Sequence, residues 1–349
     1  MVFPAGLIHA AGFSYRPMHL FVLPALTFLL IAGTPALASE VKFSNPVDCE
    51  LETDCWVIQY PDIDPGDDYR DYAGFTRSYP THKGVDIGIA SMEVMRQGVS
   101  VIAPADGTVL RLRDDMPDRL VNDQAARDAV GNQECGNGMV IDHGDGLETQ
   151  LCHMRQGSIG VRVGDQVQRG DILGEVGASG LVQFPHLHVT TRLDGTVIDP
   201  ATMLPLDAAP DAEPLGNLWG TPKLAAYNPL DIVQLGFSIA PLTIDQAIEG
   251  GMHRAELGTS PPALILWTVL YGVRAGDRLR LQIIDPQGGT FFDNEDVLEN
   301  TKIRWFQFSG RRVREPLEPG IYTGRVTLTR EQDGEIIREL KQTLVEITR

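Results

Sequence analysis

The sequence predicts an all-β chain, mostly antiparallel, with two domains joined by a linker. Three observations predict it. Short apolar alternations punctuated by glycine run from residue 83 to 200, a stretch rich in Pro, Ala and Asp with no period follows at 201–221, and five more strand patterns separated by turn signals come after it. A chain of 349 residues with 43% apolar side chains is long enough for more than one core.

Residues 1–38 read as an export signal. Arg16 and His19 precede the apolar run 20–32, and Ala36-Leu37-Ala38 supplies a small-residue cleavage pattern. The run falls short of the roughly 20 residues that a membrane span needs, and Pro24 interrupts it. The expectation is therefore a mature chain beginning near Ser39, without a stable membrane anchor, in the periplasm or outside the cell. Formal net charge is −18, and loss of Arg16 with the signal would make it −19. So acidic a surface repels phosphate backbones, which argues against a nucleic-acid partner. Four cysteines, Cys49, Cys55, Cys135 and Cys152, are an even set in a chain leaving the reducing cytosol, which favours disulfides. Three pairings are open; the local one, Cys49 with Cys55 and Cys135 with Cys152, closes short loops and is expected.

Within the N-terminal extension, 39–77, the acidic run 62–68 lacks the spaced ligands and closing Glu of an EF-hand and reads as a solvated loop. The first β domain, 78–200, shows strand patterns at 85–89, 107–112, 138–141 and 170–176. A polar insertion at 118–130 has room for a helical turn or two before Cys135. Beyond the linker at 201–221, residues 243–249 read as a short capped helix. Strand patterns at 264–271, 278–284, 303–308, 322–329 and 336–347 then predict an Ig-like β-sandwich over 222–349. That segment has no cluster of His, Cys or nucleophile–base pairs, so its residues point away from chemistry.

Of eight histidines, two fall in the signal, and four of the other six gather in three motifs: His82-Lys83-Gly84-Val85-Asp86, Cys152-His153-Met154 and His186-Leu187-His188. Two neutral imidazoles and a carboxylate make a good zinc shell with one coordination position left for water. Residues two apart on a strand share a face, so His186 and His188 project together while Leu187 and Val189 point to the core. A fully extended strand would separate the α-carbons of His82 and Asp86 by about 13 Å, so the chain must bend near Gly84 or leave His82 in the preceding turn. His143, in a glycine-rich turn, and the isolated His253 read as structural and surface residues. There is no H-E-x-x-H helix, so a glutamate base of that kind is absent.

The three motifs, in this order, resemble the lysostaphin and LytM-type peptidoglycan endopeptidases over roughly 78–200. Two further phrases strengthen the likeness: Ala103-Pro104-Ala105-Asp106-Gly107-Thr108-Val109 and Gly164-Asp165-Gln166-Val167-Gln168-Arg169-Gly170. The resemblance implies a LytM-type β domain with a central catalytic groove. It implies one zinc ion per chain, held by His82, Asp86 and His188, with His153 and His186 as catalytic histidines, either of which could be the base. It implies hydrolysis of the peptide stems of peptidoglycan; the alternative is a non-catalytic LytM-like regulator that activates amidases, a class marked by lost ligands, all of which are present here. A protein of the cell envelope is the expected partner of the C-terminal domain. Cys152, Met154 and Phe184-Pro185 depart from the family pattern around the histidines, and the insertion at 114–137 is long. By its position, the segment 40–75 could lie over the groove, supply a fourth ligand and keep the enzyme latent.

Overall fold

The computed structural model describes residue 12, residues 41–209 and residues 211–349. The expected signal, 1–38, lies outside the described residues apart from residue 12. Among these, no helix is long and apolar enough to cross a membrane.

The described chain is mostly β. Its first half runs β1 (Cys55–Gln59), β2 (Val85–Ile89), α1 (Met92–Gln97), β3 (Ser100–Ile102), β4 (Gly107–Arg113), α2 (Gln124–Val130), β5 (Asn137–Asp142), β6 (Leu147–Met154), β7 (Gln166–Val167), β8 (Ile172–Glu175), β9 (His186–Leu193) and β10 (Thr196–Ile198). One antiparallel sheet takes the order β1-β2-β9-β6-β5-β4-β7, with β10 paired to β9, while β3 and β8 form a separate hairpin-like pair. One face of this sheet carries Ile87, Met139, Ile141, Leu151, Leu187 and Val189 into the core, each at most 2% exposed. The opposite face is the floor on which the polar motifs stand.

The second half runs α3 (Pro222–Ala225), β11 (Asp231–Ser238), α4 (Ile244–Glu249), β12 (Glu256–Gly258), β13 (Ala263–Val273), β14 (Arg278–Ile284), β15 (Thr290–Val297), β16 (Lys302–Arg312), β17 (Gly320–Gln332) and β18 (Glu335–Thr348). The sheets β11-β13-β16 and β12-β18-β17-β14-β15 enclose a core that includes Phe237, Leu266, Leu281 and Val326. Thr243 caps α4 through a reciprocal pair with Gln246. β13 is apolar on both faces: Leu264, Leu266 and Leu270 join the sandwich core, whereas Trp267, Val269 and Tyr271 pack into the core of the first half. A strand covered on both sides needs such an uninterrupted run.

Several stretches differ from their sequence reading. The acidic loop is not wholly solvated, because Asp62 is buried and its carboxylate accepts from the backbone N–H groups of Asp64, Arg70 and Thr81. Residues 201–221, expected as a linker, include Leu218 and Trp219, buried at 3% and 5% exposure, with Trp219 against Phe43. The segment 41–75 does not supply a ligand over the groove. It enters the fold as β1, pairing with β2, and as the Cys49–Cys55 loop. Disulfides join Cys49 to Cys55 and Cys135 to Cys152.

Asp199 is 1% exposed; its Oδ1 accepts from the Ala201 N–H at 2.7 Å and its Oδ2 has no partner. Burial pushes this carboxyl up to about 7. A folded-state value above the unfolded one means a contribution that is complete below about pH 4 and is lost as pH rises through 7. Asp199→Asn is therefore expected to be the more stable form at pH 8, by on the order of 1–3 kcal/mol, with the gap closing toward pH 5. Thermal melts at the two pH values check this, and a gap independent of pH would refute it.

Candidate metal centre

Two strands and a turn bring the first three residues together. Asp86 on β2 lies opposite His188 on β9, and Gly88 lies opposite His186. His82 precedes β2 and is turned inward after Thr81, whose φ is 68°, so the separation problem posed by an extended strand is solved by a turn. Gly84 permits the approach, since a Cβ there would lie 2.6 Å from His188 Nε2 and 2.6 Å from the Val189 carbonyl oxygen.

The donor atoms converge. His188 Nδ1 is 2.7 Å from Asp86 Oδ1, His82 Nε2 is 3.1 Å from the same oxygen, and the two ring nitrogens are 3.2 Å apart. Among the described residues, His82, Asp86 and His188 are the one group of His, Cys, Asp and Glu placed to hold a metal ion. His82 Nδ1 donates to the Tyr60 carbonyl at 2.7 Å, so the tautomer is fixed and Nε2 presents a lone pair to its neighbours. Thr190 Oγ1, 2.9 Å from His188 Nε2, sets that ring with Nδ1 facing the other two. A lone pair aimed at a carboxylate oxygen is tolerable only with a positive charge between them, either a proton on the imidazole or a metal cation. The donor set therefore fits a metal cation.

The electrostatics express the same demand. Burial works against a charged His82, but the Asp86 carboxylate and its hydrogen bond outweigh burial and raise the imidazole above its ordinary value. Burial would raise Asp86, yet the charges of His82 and His186 and the hydrogen bonds from His188 and His82 hold it well below the usual carboxylate range.

His153 and His186 complete the cluster. Their ring centroids are 4.7 Å apart, His153 lies 5.8 Å from His188, and His186 Nε2 is 3.6 Å from Asp86 Oδ1. His186 shares the β9 face with His188 by parity. His153 does not follow parity, because Cys152 already faces the groove opposite His188. At the end of β6 the register shifts, with Asn137 opposite Met154 and Gly138 opposite Cys152, so His153 is an extra residue, and its φ is 65°. This bulge re-aims a side chain that would otherwise enter the core. The His153 N–H donates to the Cys135 carbonyl, and Cys135 is bridged to Cys152, which ties the strained residue down.

Both rings donate from Nδ1 to a backbone carbonyl, His153 to Ser179 at 2.8 Å and His186 to Phe184 at 2.9 Å, leaving each Nε2 bare. Burial, followed by the charges of His186 and His188, holds His153 well below its ordinary value; burial also lowers His186, against the pull of Asp86. Two imidazoles whose Nε2 atoms make no hydrogen bond among the described residues thus stand beside the His82, Asp86 and His188 group.

Support for this wall comes from afar. Phe184 stacks on His186 at 4.5 Å and contacts Tyr271 of β13 at 5.5 Å, while Arg304 of β16 donates to the Gln183 carbonyl and lies over the Phe184 ring. The sequence reading did not include Tyr60, Thr190, Ser179 or Arg304. Thr190 could have been found from its parity with His188; the others carry no local signal. His143 stands apart, held between the Asp106 carbonyl and Thr149 Oγ1.

Comparison with known proteins finds a family match for part of the chain. Residues 80–200 match the model of Peptidase family M23. An uncharacterized metalloprotease of Haemophilus influenzae is 30% identical over 122 residues, which is 35% of this chain and 21% of that protein. The DD-carboxypeptidase/endopeptidase Mpg of Neisseria meningitidis serogroup B is 32% identical over 68 residues, 20% of this chain and 15% of its own length. The chain thus spans about a fifth or less of these relatives. A putative peptidase M23 from Pseudomonas aeruginosa of known structure is similar at 27% identity over 48% of this chain and 52% of its own, with a TM-score of 0.28.

Proposed function

From the premise that residues 80–200 are a domain of peptidase family M23, we propose that this protein is a zinc-dependent endopeptidase that cuts peptide cross-links of bacterial peptidoglycan. The observation that carries the reading is the meeting of three donor atoms from His82, Asp86 and His188 beside two buried imidazoles with bare Nε2 atoms. A zinc ion held by the three would supply Lewis acidity toward a peptide carbonyl and acidify water near it.

The remaining work falls to side chains. His153 or His186 takes the proton of the attacking water on Nε2, and the imidazolium so formed returns it to the departing amine. Their Nδ1 hydrogen bonds to Ser179 and Phe184 keep the rings aimed through both transfers. The substrate class is supported by the relative described as a DD-carboxypeptidase/endopeptidase. Two disulfides support a place outside the cytosol.

The test is metal content and release of soluble fragments from purified peptidoglycan, for wild type and His188→Ala. The expected result is one zinc per wild-type chain with turnover, and loss of both in the variant. Equal fragment release by the two proteins would defeat the reading.

A further inference from the structure

The face that bears the metal centre continues across the sheet to a second polar site. Cross-strand pairing makes rows: His188, Cys152, Gly138 and Arg113 form one, and Thr190, Gln150, Val140 and Arg111 the next. The bulge between Val109 and Arg111 turns Arg111 and Arg113 onto this face, although Val109 belongs to the core. Arg192 stands two residues beyond Thr190 on the same face of β9.

Arg111 and Arg113 line a depression of about 310 Å³ together with Gln150 and the Cys135 end of the disulfide. Arg192 reaches it by donating from Nη2 to Gln150 Oε1 at 2.7 Å, and its buried Nη1 has no partner. Among the described residues, Arg111 makes no hydrogen bond or ion pair, and Arg113 donates weakly to the Gly136 carbonyl at 3.4 Å. Glu148 is the carboxylate that acts on Arg192, while Arg111 acts on it with the opposite sign. Arg192 has Glu148 opposite it on β6, whereas Arg111 and Arg113 have no carboxylate within ion-pair distance among the described residues and are suited to an anion from outside.

We propose that Arg111, Arg113 and Arg192 form a carboxylate-binding subsite of the groove, which takes an anionic group of the peptide substrate several residues from the bond that is cut. The inference rests on the peptidase reading for its substrate. Three strand spacings separate β9 from β4, about 14 Å, which about four residues of extended peptide cover. A peptide lying across the strands from the metal centre therefore brings a carboxylate within the arc of the two β4 guanidiniums, whose fork matches it bidentately.

The experiment uses the full chain and two synthetic cross-linked stem peptides, identical except that one carries free carboxylates and the other is amidated throughout. For wild type, amidation is expected to raise KM about tenfold, the scale of one lost charge-assisted hydrogen bond. The double variant Arg111→Gln/Arg113→Gln is expected to raise KM for the free-acid peptide by a similar factor and to erase the difference between the peptides. Its kcat, zinc content and melting temperature are expected to stay near wild type. A variant that keeps the wild-type preference for the free acid overturns the subsite. If wild type cuts neither peptide, the peptidase reading fails separately, and calorimetric titration of the free-acid peptide then decides: binding that the variant lacks upholds the subsite, and equal or absent binding in both proteins ends it.

Discussion

His153→Gly is expected to lower kcat by about 10²–10⁴-fold, the usual worth of a positioned general acid–base group, while leaving metal content unchanged. The substitution separates two roles of one residue. As backbone, His153 occupies a left-handed conformation at φ 65°, which disfavours a side chain and which glycine adopts freely. Glycine should therefore relieve about 1 kcal/mol of backbone strain, which offsets part of the cost of losing the buried ring and its hydrogen bond to the Ser179 carbonyl. His153 offers no donor to the His82, Asp86 and His188 group, so zinc should stay bound. A variant that folds, binds zinc and turns over within tenfold of wild type would remove His153 from the chemistry. One that loses zinc would mean that the bulge shapes the metal centre itself.

Arg77→Met is expected to destabilise the chain by on the order of 3–5 kcal/mol, the range for removing one partner of a buried ion pair. Arg77 is 1% exposed, and its guanidinium is 2.8 Å from the Asp231 carboxylate, both side chains being 2% exposed. It also donates to the carbonyls of Ile58, Val57 and Asn228. The single side chain thus joins β1 of the first half to the start of β11 in the second. Without it, three carbonyls and a carboxylate are left in the interior. Burial, opposed by Arg77, already pushes Asp231 up to about 6, and removing the cation would push it further. A folded-state carboxyl raised in this way loses stability as pH rises through its value, so the deficit should be larger at pH 8 than at pH 5. Melting curves at both pH values measure it. Arg77→Met/Asp231→Leu should recover most of the loss, because a matched apolar pair strands no charge; no recovery would mean that the carbonyl contacts dominate.

Much of the site was legible because its signals are local in sequence. His186 and His188 are two apart on a strand, and the spacing from His82 to Asp86 allows one turn and one strand residue to meet. The strands 264–271, 278–284, 303–308, 322–329 and 336–347 announced themselves by apolar runs and alternation. β15 was not seen, because its residues, Thr290–Val297, are mostly polar and half exposed at a sheet edge. β12, three residues long, gave no period to read. The run 201–221 looked like a linker because composition registers its Pro and Asp but not that Leu218 and Trp219 meet Phe43 across the fold.

The sequence by itself determined the kinds of group present and their order along the chain: an all-β chain, an even set of cysteines whose pairing stayed open, and imidazoles and a carboxylate in three ordered motifs. Only the tertiary structure decided which nitrogen of each histidine is bare, that a one-residue bulge turns His153 from core to groove, and that Arg304 and Arg77 from opposite halves brace the first domain. The physical reason is range. Side-chain parity and turn geometry are set by neighbours along the chain, whereas tautomer, burial and register slip are set by carbonyls, strands and charges that folding alone brings near.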